Sequence, residues 1–133
     1  KHLKLLCVNP DIFVDIGHQR VWCAGGIAEA FSKAGGESIY CGKPHRDIYK
    51  LAFIKIRNFN LKTEPKILCI GDGIKTDVLG GVNEGLDTLF ICGGLSSNET
   101  GIDKIRDTPD RKKLNTFLTI NNLNPTNSIG FLK

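Results

Sequence analysis

The sequence predicts an α/β fold built on a parallel sheet, and three observations predict it. Short apolar runs of β-type residues alternate with amphipathic stretches, the pattern of parallel βα units. Turn residues close nearly every run. The chain holds 15 glycines in 133 residues, about 11% against an average near 7%, and they fall at the ends of apolar runs without a regular period. The length suits one modest domain. With 41% apolar and 24% charged residues, no apolar run approaches the roughly 20 residues of a membrane span.

Leu3 to Val8 reads as the first strand and ends at the turn signal Asn9-Pro10-Asp11. Gly25 to Ala34 is alanine-rich and helix-like, closed by Gly35-Gly36 in the C-cap position. A brief second strand, Ser38 to Cys41, runs into Gly42-Lys43-Pro44, with proline expected in the first turn of the next helix. That helix spans about His45 to Asn58. At 100° per residue Ile48, Tyr49, Ala52, Phe53 and Ile56 fall within an arc of about 140°, while Arg46, Lys50 and Arg57 cluster opposite. Lys66 to Ile70, the third strand, is nearly unbroken in its apolar character, as expected of a strand buried on both faces. It stops at Gly71-Asp72-Gly73. A helix from about Lys75 to Glu84 and a fourth buried strand, Thr88 to Cys92, follow. Beyond Leu95 the chain is looser and more polar, with a helix around Asp110 to Ile120 and an Asn-rich end.

The net charge of +4 is too mild, and its charges too interspersed, to indicate nucleic acid. Between Cys41 and Lys66, however, seven basic residues face two acidic ones, which favours an anionic ligand nearby. The five cysteines are an odd number with no Cys-x-x-Cys, so a structural zinc site is not expected. Four of them sit in or beside strand-like runs, where a thiol behaves as a small apolar group; a reducing, cytoplasmic compartment is expected. The chain shows no secretory signal pattern. It begins at Lys1 and contains no methionine, so further sequence is expected upstream.

The densest chemical signal is Ile67 to Asp77. A carboxylate at the carboxyl end of a buried parallel strand sits in the crevice where open α/β sheets bind ligands, and Asp72 occupies that place. Flanking glycines let the backbone approach a ligand closely. Asp77, in the first turn of the next helix, returns to the same rim, and two converging carboxylates suit a hard cation such as Mg²⁺. The alternative is that both merely cap the helix, since acidic residues favour helix N-termini. Neither a dinucleotide fingerprint nor a P-loop fits the spacing. Lys43, again between a strand and a helix, makes an anion-friendly spot suited to phosphate; by itself it also reads as an ordinary turn lysine. Lys43, Asp72 and Asp77 are expected at strand-to-helix transitions of one sheet, and that pairing favours a site.

Taken in order, Asn9-Pro10-Asp11, Cys23-Ala24-Gly25-Gly26, Gly35-Gly36, Gly42-Lys43-Pro44 with Ile48-Tyr49, Gly71-Asp72-Gly73 with Thr76-Asp77, Gly80-Gly81, Gly85-Leu86 and Gly93-Gly94 resemble the haloacid dehalogenase (HAD) superfamily of phosphatases. The resemblance is to its class IIA branch, which holds NagD-like enzymes and p-nitrophenylphosphatases, and it runs from about Leu3 to Ile105. It implies a Rossmann-type parallel sheet with helices, present as a partial core, plus the end of an α/β cap. Residues 1–41 would be the C-terminal part of the cap and the return to the core, and residues 42–133 the second half of the core. It further implies that Lys43 steadies the nucleophile and the transferring phosphoryl group, that Asp72 is a Mg²⁺ ligand, and that Asp77 supports the metal through water or a hydrogen bond. Asn9 and Asp11 would lie near the cap hinge, close to substrate. A Mg²⁺-dependent hydrolase of small phosphate monoesters is the implied activity.

One departure stands out. The family attacks phosphorus with the first aspartate of an Asp-x-Asp motif, and no Asp-x-Asp occurs in this sequence; Asp11 and Asp15 are four apart, Asp72 and Asp77 five. Without a nucleophile the covalent route has no first step. Three readings stay open: the C-terminal part of a HAD phosphatase, a catalytically inactive binding or assembly module, or a chain complemented in trans. The expected partner is a small phosphorylated metabolite, with neither nucleic acid nor membrane, and with a second copy or a complementing chain covering the exposed half-core.

Overall fold

The computed structural model describes residues 3–59, 62–103 and 107–133. They form two compact units, Lys1–Leu61 and Lys62–Lys133.

The first unit runs β1 (Lys4–Cys7), β2 (Phe13–Ile16), β3 (Gln19–Trp22), α1 (Ala24–Lys33), β4 (Glu37–Tyr40) and α2 (Arg46–Arg57). β1 and β4 pair in parallel, from Lys4 opposite Glu37 to Cys7 opposite Tyr40, and α1 is the crossover between them. The predicted strand–helix–strand sequence is therefore present with its ends shifted by a residue or two. α1 closes as its Gly-Gly ending predicts: Gly35 takes φ +90°, and the Gly35 and Gly36 amides donate to the carbonyls of Ser32 and Phe31, the bond pair of a Schellman cap. Pro44 stands outside α2, because the helix begins at Arg46 with His45 as its N-cap. Burial on α2 covers one side of the expected arc. Tyr49 is buried and Phe53 and Ile56 are half-buried, while Ile48 and Ala52 are exposed.

Antiparallel β2 and β3, pairing Phe13 with Trp22 and Ile16 with Gln19, form a hairpin that the sequence reading did not anticipate. The Phe13 and Trp22 rings lie 4.3 Å apart between centroids.

The second unit runs β5 (Leu68–Gly71), a π-helical turn (Ile74–Val78) leading into α3 (Leu79–Asn83), β6 (Asp87–Ile91), α4 (Ser97–Thr100), α5 (Arg111–Asn121) and β7 (Asn127–Ile129). Its sheet is parallel throughout, in the order β5-β6-β7. β6 is the central strand. Phe90 on β6 is fully buried and packs with Val78, Cys92 and Ile102 against Ile74, Val82, Leu114, Phe117 and Leu118. Each such buried side chain contributes about 1.5–3 kcal/mol. β7 is tied to β6 by reciprocal bonds between Thr88 and Thr126: the Thr88 amide donates to Thr126 Oγ1 at 3.0 Å and the Thr126 amide to Thr88 Oγ1 at 3.3 Å.

Where the sequence reading expects one parallel sheet, the described residues form two, β1-β4 in the first unit and β5-β6-β7 in the second. β5, expected to be buried on both faces, is half-open: Leu68 and Ile70 each keep 49% of their surface exposed. Leu68 and Ile70, two residues apart, share one face of the strand, and that face is the open one, while Cys69 and Gly71 on the other are half-buried. All five cysteines are free thiols, and among the described residues no helix is long and apolar enough to cross a membrane.

Candidate active site

The turn between β5 and α3 carries both Asp72 and Asp77. Leaving β5 at Gly71, the chain enters a wide turn in which the amides of Thr76, Asp77 and Val78 all point at the carbonyl of Gly73, at 3.2, 2.8 and 3.1 Å. π-type turns of this kind are frequent at functional sites. The turn folds the Asp77 side chain back, so that its Oδ2 accepts from the Gly73 amide at 3.0 Å. Its carboxylate also fills the space beside Gly71, where an added Cβ would lie 2.2 Å from Asp77 Cγ.

Asp72 is held from a different direction. Its Oδ2 accepts from the Leu95 amide at 3.0 Å, across the loop that follows β6. Gly94 lies flat against the same carboxylate, and a Cβ there would come within 2.0 Å of Asp72 Oδ2. Gly94 therefore lies against Asp72, a placement the sequence reading does not give it beyond the overall resemblance. The signal that marks it is a glycine pair at the carboxyl end of a buried parallel strand, as at Gly71.

Of the two alternatives open for this pair, capping is what Asp77 performs, since its carboxylate accepts from the Gly73 amide at the start of the turn. Asp72 caps nothing on its own helix; its partner amide comes from the neighbouring strand's loop. Beside these carboxylates, burial pushes the Cys69 thiol above its ordinary range, and the negative charge of Asp77 adds to it. A thiolate nucleophile is therefore disfavoured there.

In the first unit three of the quoted motifs meet. Asn9 Oδ1 accepts from the Asp11 amide at 3.2 Å, an Asx turn. The turn packs against two glycines: an added Cβ at Gly25 would lie 2.1 Å from the Pro10 carbonyl oxygen, and one at Gly42 would lie 2.2 Å from the Val8 carbonyl oxygen and 2.5 Å from Pro10 Cδ. The backbone bonds Gly25 to Asp11 and Cys23 to Ile12 complete the junction. Asn9 and Asp11 thus have structural work at the end of β1, beneath the loop that carries Lys43. Lys43 itself is exposed, on a cis Lys43–Pro44 peptide between β4 and α2. The next residue's ring, His45, stacks on Tyr40 with centroids 5.8 Å apart. Lys43 belongs to the first unit and Asp72 and Asp77 to the second.

A family model described as HAD-hydrolase-like matches residues 40–116, a stretch that holds both the Lys43 loop and the Asp72–Asp77 turn. The chain belongs to the HAD-hydrolase-like family. It is similar to the ribonucleotide monophosphatase NagD of Escherichia coli K12, with 28% identity over 109 residues that cover 81% of this chain and 39% of that protein. The structure of a haloacid dehalogenase-like hydrolase from Brucella suis 1330 is 35% identical and superposes with a TM-score of 0.69, covering 96% of this chain and 44% of that one. A p-nitrophenyl phosphatase from Archaeoglobus fulgidus, 22% identical, shares the fold with a TM-score of 0.62 over 91% of this chain and 41% of its own. NagD-like and p-nitrophenylphosphatase neighbours are those of the class IIA branch. This HAD-like chain spans about two fifths of the length of these relatives.

For a family that uses Mg²⁺, the donor set of the turn can be tested directly. Among the described residues no three His, Cys, Asp or Glu side chains gather as a metal cage. Mg²⁺ does not need one, since it is usually held by one or two carboxylates with water and phosphate oxygens completing the octahedron. Two carboxylates on one glycine-lined turn, each oriented by a backbone amide through Oδ2, fit that requirement.

Proposed function

We propose that this chain carries the Mg²⁺-binding and lysine-bearing part of a HAD phosphatase acting on small phosphate monoesters. The observation that carries the proposal is the β5–α3 turn, where Asp72 and Asp77 are set by the Leu95 and Gly73 amides at the carboxyl end of a parallel strand. Family membership and the phosphatases among its relatives support it.

In this reading Asp72 is the direct ligand and Asp77 orients the turn and any water bound between them. The cation would neutralise charge on the phosphoryl oxygens. Lys43, on the loop after β4, is the lysine whose point charge suits a phosphoryl group. Residues 1–41 are the end of the cap and its return, and residues 42–133 the second half of the core. The Asx turn at Asn9 and Asp11 fixes the chain where it crosses between them. The attacking aspartate of an Asp-x-Asp motif comes from outside these 133 residues, in the same polypeptide or a complementing chain. The half-open β5, with Leu68 and Ile70 exposed, supports a covering partner for this face, a second copy standing in when no other is present. The free thiols support a reducing, cytoplasmic setting.

The test is Mg²⁺-dependent hydrolysis of p-nitrophenyl phosphate by the purified chain, with its mass in solution recorded. No turnover by a folded, associated chain is the expected result. Turnover that Asp72→Asn and Lys43→Ala both abolish would show that these residues act with a nucleophile inside the chain. Turnover indifferent to both would refute the site assignment.

A further inference from the structure

We propose that Thr100 is a positioning residue for Asp72, acting through the loop between β6 and α4. Thr100 is fully buried, an unusual place for a threonine unless its hydroxyl is used. Its Oγ1 lies 2.8 Å from the Ser96 carbonyl oxygen, 3.1 Å from that of Cys92 and 3.3 Å from that of Ser97. A hydroxyl has one proton, so it donates to Ser96 or shares the proton with Cys92. These carbonyls stand at the two ends of the loop Gly93-Gly94-Leu95. Cys92 is fixed to the sheet by its amide, which donates to the Ile129 carbonyl at 2.8 Å. One hydroxyl thereby closes the loop against the sheet.

What the closed loop presents is the Leu95 amide, 3.0 Å from Asp72 Oδ2, and the bare backbone of Gly94 against the same carboxylate. The loop is also fixed from behind. The Thr100 amide donates to the Ser96 carbonyl at 3.0 Å, and the Thr100 carbonyl accepts from the Asp110 amide at 2.8 Å, at the start of α5. Thr100 is thus bonded to the sheet, the loop and the last helix at once, while its own side chain meets none of the site residues directly. If the hydroxyl is removed, Leu95 loses the restraint that aims its N–H, and the orientation of Asp72 goes with it.

The functional meaning of this inference rests on Asp72 as a Mg²⁺ ligand; its structural half rests on the hydrogen bonds alone. The test follows the Leu95 amide by NMR in the chain as it stands and in Thr100→Val, which keeps the shape and loses the hydroxyl, and Thr100→Ser, which keeps it. Each is then titrated with MgCl₂, with Asp72→Asn as control. Thr100→Val is expected to move the Leu95 amide signal upfield, away from its carboxylate-bonded position, while the Leu89 and Phe90 amides stay in place. Its Mg²⁺ midpoint should rise about tenfold, the equivalent of one hydrogen bond. Thr100→Ser should match the parent. Should Thr100→Val not fold, Thr100→Cys, a weak donor of similar size, should show the same displacement to a smaller degree. A Leu95 signal unchanged in the variant that lacks the hydroxyl overturns the proposal. A Mg²⁺ response that survives Asp72→Asn removes the metal assignment instead, and the Leu95 shift still decides the role of Thr100.

Discussion

The Leu95 amide reaches Asp72 Oδ2 at 3.0 Å, although the two lie 23 positions apart in the chain. The bond joins the turn after β5 to the loop after β6, the two neighbouring strand ends where a parallel sheet offers its ligand crevice. Charge-assisted bonds of this kind, from amide to carboxylate, contribute about 1.5–3 kcal/mol, enough to select one orientation of Asp72.

Gly94→Ala should break that relationship by force. The added methyl would sit 2.0 Å from Asp72 Oδ2, so either the loop or the carboxylate must move, at a cost of about 1–3 kcal/mol. Any Mg²⁺ response should go with it. Gly35→Ala is the matched comparison: nothing lies within 4 Å of the new methyl, and φ there is +90°. Its strain of about 1–2 kcal/mol should lower stability and leave Mg²⁺ behaviour intact. Urea unfolding with and without Mg²⁺ separates the two.

Asp110→Ala should destabilise the chain by about 1 kcal/mol. Asp110 caps α5, accepting from the Lys112 and Lys113 amides at 2.9 and 3.1 Å, while its own amide bonds the Thr100 carbonyl. Asp110→Asn retains an acceptor and should lose much less, as read by thermal melting of both variants.

Much of this frame was legible in the sequence, and its misses have physical causes. β1, α1, β4, α2, β5, β6 and α5 all announced themselves through apolar runs, caps and punctuating glycines. The hairpin carries no period-2 signal, because neither Phe13-Val14-Asp15-Ile16 nor Gln19-Arg20-Val21-Trp22 alternates apolar with polar residues; Gly17, with φ +62°, marks its turn. β7 is three residues long in an Asn-rich tail, and its pairing depends on Thr88 and Thr126, which are 38 residues apart. Local pattern carries no trace of such a bond. At the site, Asp72 and Asp77 were legible because strand-end carboxylates between glycines are a chemical pattern. Leu95 and Thr100 were not, because one contributes only its backbone and the other acts through carbonyls.

Stability should fall with rising pH in the alkaline range. Burial pushes the Cys92 thiol up to about 11 from an ordinary value of 9.0. The folded chain thus holds a proton that the unfolded chain releases first. Stability is fully present below about pH 9 and is lost as the pH rises from there through about 11. Cys92→Ala should flatten that part of the profile in urea titrations taken from pH 7 to pH 11. In the parent, Cys92 should resist iodoacetamide until the chain unfolds, because it has no exposed surface.

The most direct measurement on the central claim is calorimetric titration of MgCl₂ into the purified chain and into Asp72→Asn, matched for folding by circular dichroism. The Asp72–Asp77 turn predicts a saturable heat at millimolar Mg²⁺ in the parent that Asp72→Asn removes. Identical heats in two equally folded proteins would contradict the assignment of this turn as the metal site.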